Sequence, residues 1–240
     1  MVRKQTWDAS YHNTLLPDSP IKRKPDIVLL DTNCLLATWC TVCAVTEVTS
    51  QKFEFNKLVA MATDKSYIIL TTQADHTFIP ILSVWGFHKF WLIVTNHEGQ
   101  QHSMVLELAS PTPISASLAF LQIIVNLCFT DKQYIGYDPT MTTNNFGLVK
   151  SIKCCSKIYK VICIIYETQS FVGHATCVWE VEHDNQHLIL KDAWVKKSHP
   201  CQQISAPWAY CRSARHSKVC LWWRYINWWE AALHWQYLRD

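Results

Sequence analysis

The stretch 78–108 restricts the fold more than any other part of the chain. Phe78-Ile-Pro-Ile-Leu-Ser-Val-Trp85, Lys89-Phe-Trp-Leu-Ile-Val-Thr95 and Ser103-Met-Val-Leu-Glu-Leu108 are short apolar runs separated by Gly86 and by Asn96-His-Glu-Gly99. Runs of this length between turn residues pair as successive antiparallel strands, so a three-stranded meander is expected. Pro111-Thr-Pro113 then interrupts the chain, and 114–129 follows with Leu118, Leu121, Val125 and Cys128 along one helical stripe, expected to pack on the meander.

Upstream, 26–31 reads as a short buried strand and 39–48 as a second, joined through Asp31-Thr-Asn33. Residues 53–62 place Phe55, Leu58, Val59 and Ala62 at helical spacing, and 66–70 either continues that helix or begins a strand. Residues 130–157 read as loop, after which 158–166, 171–182 and 187–194 are three more strands. The expected organisation is a flexible arm over 1–22, an α+β unit over 23–148 with a mostly antiparallel sheet, a third block over 150–197 and a Trp-rich tail over 198–240.

Composition narrows the function classes. With 49% hydrophobic and 17% charged residues the chain is too apolar for disorder, and 22 basic against 19 acidic residues is a weak footprint for nucleic acid, which is not an expected partner. Five glycines in 240 residues argue against glycine-rich phosphate loops and flexible linkers. The N-terminus lacks an apolar signal region, and the longest apolar run, 16 residues over Ile114–Phe129, falls short of the roughly 20 that span a bilayer. An intracellular location, cytoplasmic or nuclear, with reduced cysteines and no membrane contact is therefore expected.

The third block carries the chemistry. Phe171-Val-Gly-His-Ala-Thr-Cys-Val-Trp-Glu-Val-Glu182 is a strand pair around a tight turn, and Leu188-Ile-Leu-Lys191-Asp-Ala-Trp194 delivers a lysine from the next strand. A turn over the phosphates of ATP and one ammonium beneath it is the nucleotide grip of a kinase N-lobe. A half-buried hairpin whose lysine merely sits on a strand fits the same pattern.

Gly173-His-Ala-Thr176, Val178-Trp-Glu-Val181 and Leu190-Lys-Asp-Ala-Trp194 resemble the fungal-type protein kinase family, whose N-lobe has a Gly-Arg-Gly-Thr turn and an Ile-Lys-Asp-Ser-Trp strand. Lys24-Pro-Asp-Ile-Val-Leu-Leu-Asp31, Trp39, Glu47-Val48, Val94-Thr-Asn-His-Glu-Gly99 and Ile135-Gly-Tyr-Asp-Pro-Thr140 resemble that family's amino-terminal region. The resemblance implies an incomplete kinase N-lobe over 150–197, ATP and Mg²⁺ as cofactors, phosphorylation of protein Ser/Thr, Lys191 as the phosphate lysine, and Gly173, His174, Ala175 and Thr176 as the glycine-loop equivalent. Ala175 stands for the second glycine and His174 for the arginine.

Catalysis is not expected of this chain. There is no Glu between Asp192 and Trp229 to pair with Lys191, and the 240 residues contain neither His-Arg-Asp nor Asp-Phe-Gly. Phosphoryl transfer rests on the positioning that such residues supply. The reading is a truncated, inactive kinase-like chain, a pseudokinase, with no catalytic residue assigned. The alternative is a non-enzymatic module or scaffold binding a protein partner. Eight of the twelve tryptophans lie at or beyond Trp179, which makes the tail a candidate for non-native coding sequence, although Trp222, Ile226, Trp229, Leu233 and Gln236 also have helical spacing.

Two further constellations stand out. Pro25-Asp26 and Glu47-Val-Thr49 have the layout of restriction-endonuclease-like nucleases, in which carboxylates on adjacent strands hold Mg²⁺ beside a lysine. Thr49 occupies the lysine's place and Lys52 is the nearest substitute, so the pattern is compatible with a degenerate core of that type, or with two carboxylates ending solvent-facing strands. Cys40-Thr-Val-Cys43 has zinc-knuckle spacing, but Cys154-Cys155 is no matching pair and no metal site is expected.

Overall fold

The structure is a computed structural model that describes residues 4–19, 21–34, 36–49, 55–86, 88–108, 114–154, 156–170, 173, 175–194 and 218–224. Its first sheet comprises β1 (Gln5–Asp8), β2 (Ile27–Asp31), β3 (Val42–Thr49), β4 (Phe78–Trp85), β5 (Lys89–Asn96), β6 (Gly99–His102) and β7 (Leu106–Glu107). They lie in the order β1-β2-β3-β4-β5-β6, with β7 also on β5. Only β3 and β4 run parallel here, because the helix α1 (Phe55–Thr72) carries the chain back between them.

Both faces of this sheet are covered, which explains why β3 is buried almost throughout. On one face Val28, Val45, Ile81 and Ile93 pack with Leu58, Ala62 and Ile69 of α1. On the other, Leu29, Cys43, Leu82 and Phe90 meet Ile123, Leu127 and Cys128 of α2 (Ile114–Phe129). The expected stripe of α2 is corrected: Leu118, Leu121 and Val125 are exposed. The helix is apolar on nearly every side, so sequence alone could not say which side meets the sheet; the Phe90–Phe120 ring pair, 5.1 Å apart, helps fix its rotation.

Other boundaries also move. Residues 5–8, read as part of a loose arm, form β1 along β2, held where the Lys4 N–H donates to the Cys128 carbonyl at 3.0 Å. Helix α1 runs to Thr72, ten residues past its expected end, and takes in 66–70. The third meander strand divides into β6 and β7 because Asn96 Oδ1 accepts the N–H groups of Glu98 and Gly99, making the preceding turn tight and starting the pairing early.

The second sheet holds β8 (Met141–Thr143), β9 (Val149–Cys154), β10 (Lys157–Glu167), β11 (Cys177–His183), β12 (Gln186–Trp194) and β13 (Lys218–Arg224), in the order β13-β12-β11-β10-β9-β8. The three strands expected there become six. The stretch 130–157, read as loop, contributes β8, β9 and a 3-10 turn at Lys132–Ile135. The tail contributes β13, parallel to β12; Trp222 is thus on a strand rather than a helix, and Ile226, Trp229, Leu233 and Gln236 lie outside the described residues. Asp184 and Asn185, both at positive φ, close the β11–β12 hairpin in the two-residue form such conformations permit.

Gly136 links the two sheets. It sits at φ 107°, and a Cβ there would lie 1.8 Å from the Phe78 carbonyl oxygen, so only glycine lets this segment reach the start of β4. One face of the second sheet, with Ile152, Trp179, Val181 and Leu190, is buried and takes in Ala74 at the end of α1. Among the described residues no helix is long and apolar enough to cross a membrane.

Candidate functional site

The turn between β10 and β11 is closed where the Thr168 N–H donates to the Thr176 carbonyl at 2.9 Å. Within it Gly173 has φ 104° and Ala175 φ 34°, so the chain takes the left-handed region twice, once at a residue whose Cβ opposes it. The Gly173 N–H donates to the His97 carbonyl at 3.0 Å, and Tyr67 Oη donates to the Gln169 carbonyl at 3.1 Å. His97 is in the β5–β6 turn and Tyr67 on α1, so the first sheet unit holds this turn from two elements. His174 lies outside the described residues.

Lys191 sits on β12 in a row running Tyr166, Val178, Lys191 across three strands. Strand alternation gives it the face opposite Trp179 and Leu190, where Tyr166 is exposed. Among the described residues no acidic side chain pairs with its ammonium. Ala175 and its neighbour Cys177 border a void of about 20 Å³ together with Asp192, Trp194, His97 and Glu167. Asp192 alternates with Lys191, so the structure brings Ala175 to one face of the sheet and the lysine to the other. Burial pushes Glu167 up from its ordinary value. The His97 and Trp194 rings stack at 4.9 Å beside the void.

A second group forms in the first sheet. The β2–β3 register pairs Ile27 with Thr46, and one step further Asp26 faces Glu47; Asp26 Oδ2 accepts the Val48 N–H at 2.8 Å. The lysine next to Glu47 is not Lys52, which lies outside the described residues, but Lys65 of α1, which forms a buried ion pair with Glu47 Oε2. Burial, with the nearby Asp26 charge adding to it against Lys65, pushes Glu47 up to about 7. Sequence reading missed Lys65 because the helix was ended at Ala62. Its position on the same stripe as Leu58, Ala62 and Ile69 was the available signal, since a lysine on an apolar stripe needs a buried partner.

The remaining candidates have structural surroundings. Cys43 accepts a hydrogen bond from Tyr137 Oη at 3.4 Å, Cys40 donates to the Thr72 carbonyl, and burial pushes both thiols up to about 11. A polar cavity of about 150 Å³ lies between Asp31, Asp75, Lys132, Tyr137 and Asn144. Lys132 bonds Asp31 at 2.9 Å and stands 5.0 Å over the Tyr137 ring. Burial pushes Asp31 up, but the Asn33 N–H and Lys132 outweigh it and hold the carboxyl below its ordinary value.

The turn, the lysine strand and the sheet they share are matched by one family model, described as fungal protein kinase, over residues 24–204, about three quarters of the chain. The chain belongs to the fungal protein kinase family. A comparison with the curated proteins finds no match, and neither does a comparison with the solved structures. The matched span takes in β2 to β12, strands of both sheets, and leaves out β1 and β13.

Family membership implies ATP and Mg²⁺ use in general. Among its described residues, the turn of this kinase-family chain fits the nucleotide poorly. A phosphate-binding turn must offer free N–H groups and close backbone approach. Here the Gly173 N–H is engaged by His97, Ala175 adds a Cβ, and Lys191 faces away from Ala175.

Proposed function

We propose that this kinase-family chain acts as a non-catalytic scaffold that binds a protein partner and transfers no phosphate itself. The observation that carries this reading is the Gly173 N–H donated to His97, because it gives the would-be phosphate turn an internal ligand. In keeping with it, the 240 residues contain neither His-Arg-Asp nor Asp-Phe-Gly, the segments through which a kinase positions its nucleotide-bound Mg²⁺ and the acceptor hydroxyl. A protein partner is favoured over a small molecule by Ile162, Ile164, Ile165 and Tyr166, large apolar side chains that stay exposed along β10. An apolar protein segment laid on the face shared by Tyr166 and Lys191 would cover the nearest of them.

The test is a thermal-shift titration of the full chain with ATP and Mg²⁺, comparing wild type with Lys191→Ala. Ligand at about 100 times its Kd stabilises by roughly 2.7 kcal/mol, roughly 5–10 °C for a chain of this size. With Mg²⁺ held constant throughout, the expected result is no saturable shift on adding ATP and no phosphate incorporated into an added protein acceptor. A shift abolished by Lys191→Ala would overturn it in favour of a nucleotide-binding pseudokinase, and incorporation in favour of an active enzyme.

A further inference from the structure

The group around Glu47 is not absorbed by any kinase role. Asp26, Glu47 and Ser83 lie side by side on β2, β3 and β4, Glu47 being paired with Ser83 in the parallel register. Each is two residues from a core position under α1, namely Val28, Val45 and Ile81, so strand alternation aims all three side chains at the helix that supplies Lys65. Thr49, two residues beyond Glu47, has the same facing.

This cluster has more oxygen acceptors than donors. Lys65 takes Glu47 Oε2, whereas Glu47 Oε1, Ser83 Oγ and Thr49 Oγ1 are buried with no hydrogen-bond partner. Ser83 is fully buried, at 0% exposure, and is the β4 partner of Glu47 in the register. Asp26 uses one oxygen on the Val48 N–H. Two carboxyl groups share one ammonium here, and buried oxygens left without donors are the surroundings in which a cation is held.

The donor set decides which ion. All the available atoms are hard oxygens, which disfavours zinc, and among the described residues no group of three or more His, Cys, Asp and Glu converges, so an ion here would take most of its ligands from water. Calcium takes six to eight oxygen ligands, more than this cluster offers, whereas Mg²⁺ is typically held by one or two carboxylates and keeps several waters. Access exists on the Asp26 side: β1 ends at Asp8 opposite Val28, so no strand flanks Asp26 there, and Asp26 is only half-buried.

We propose that Asp26 and Glu47 together hold a divalent cation of the Mg²⁺ or Mn²⁺ class, with the Ser83 hydroxyl beside it and Lys65 fixing the Glu47 carboxylate. Water or a phosphate oxygen fills the remaining positions. The site is independent of the nucleotide turn and belongs to the other sheet.

The experiment is a Mn²⁺ titration of the full chain without nucleotide, read as loss of the free-Mn²⁺ electron paramagnetic resonance signal, with Mg²⁺ as competitor. One Mn²⁺ per chain, displaced by Mg²⁺, is expected. Glu47→Gln leaves Lys65 without its partner in the core, so the decisive variant is the isosteric Asp26→Asn at a half-exposed position, its fold checked by circular dichroism. Asp26→Asn should weaken binding by at least the roughly tenfold that loss of even an outer-shell partner typically causes. Lys191→Ala should bind as wild type does. Absence of bound Mn²⁺, or binding that folded Asp26→Asn leaves unchanged, would overturn the assignment, as would binding lost only in Lys191→Ala.

Discussion

Replacing Lys65 by methionine isolates the physics of the buried pair, because Met fills nearly the same volume and removes the ammonium, with its charge and the hydrogen bond it donates to Glu47. Lys65 and Glu47 keep 5% and 0% of their side-chain surface, so removing the ammonium leaves the Glu47 carboxyl without its partner in the core. Breaking such a pair costs about 3 to 5 kcal/mol at a pH where the carboxyl is ionised. In urea denaturation followed by tryptophan fluorescence with metal chelated, that is a midpoint lower by on the order of 1 M. The pH dependence gives a second reading. Glu47 is held at about 7 against an ordinary 4.5, so the folded chain keeps a proton that the unfolded chain releases. The stability this gives is fully present below pH 4.5 and is lost as pH rises to about 7, an amplitude of roughly 3 kcal/mol. Buried His76 has the opposite sense, so the measurement is the difference in slope between wild type and Glu47→Gln, not the raw profile. Equal slopes for the two chains between pH 4.5 and 7, or a Lys65→Met chain as stable as wild type at pH 8, would refute the reasoning.

Burial, and the Lys132 charge after it, push His76 down to about 3, so stability is lost as pH falls below its ordinary 6.5. In His76→Phe, which keeps a ring against Tyr137, the acid limb of the unfolding profile should flatten; an unchanged limb assigns acid sensitivity elsewhere. Gly136→Ala should fall in the rare class costing about 4 kcal/mol or more, while Gly99→Ala, whose added methyl meets open space, should cost about 1 kcal/mol from its backbone alone. Similar urea midpoints for the two would contradict the Phe78 contact. Ala175→Gly relieves a left-handed residue and should stabilise by about 1 kcal/mol or less, visible calorimetrically; a lower melting temperature would mean that the turn is not held as described.

How legible each part was followed from how local its cause is. The meander, α2 and the β11–β12 hairpin were readable because each is dictated by short-range pattern: run length, proline punctuation, turn residues. The rotation of α2 was not, since Leu118, Leu121 and Val125 are as apolar as Ile123 and Leu127, and only the distant Phe90 and Leu82 decide which side is covered. Strands β8 and β9 escaped because Thr142, Ser151 and Lys153 interrupt the apolar pattern and leave Met141, Ile152 and Cys154 as isolated core positions. At the candidate sites the sequence offered Asp26 and Glu47 but not Lys65, whose partner is 18 residues away. The engagement of Gly173 by His97 could not be read at all, for a main-chain carbonyl leaves no mark on composition.

The parallel pairing of β13 with β12 imposes an order on biosynthesis. When Trp194 leaves the ribosome, the outer edge of β12 has no neighbour until 195–217 has been made and 218–224 follows. At about 5–20 residues per second, that is an interval of about one to several seconds in which an apolar strand stands open to other nascent chains. A chain ending at residue 204, where the family match stops, would keep that edge permanently. Yield of folded monomer should therefore depend on a segment that contributes nothing to the matched sequence.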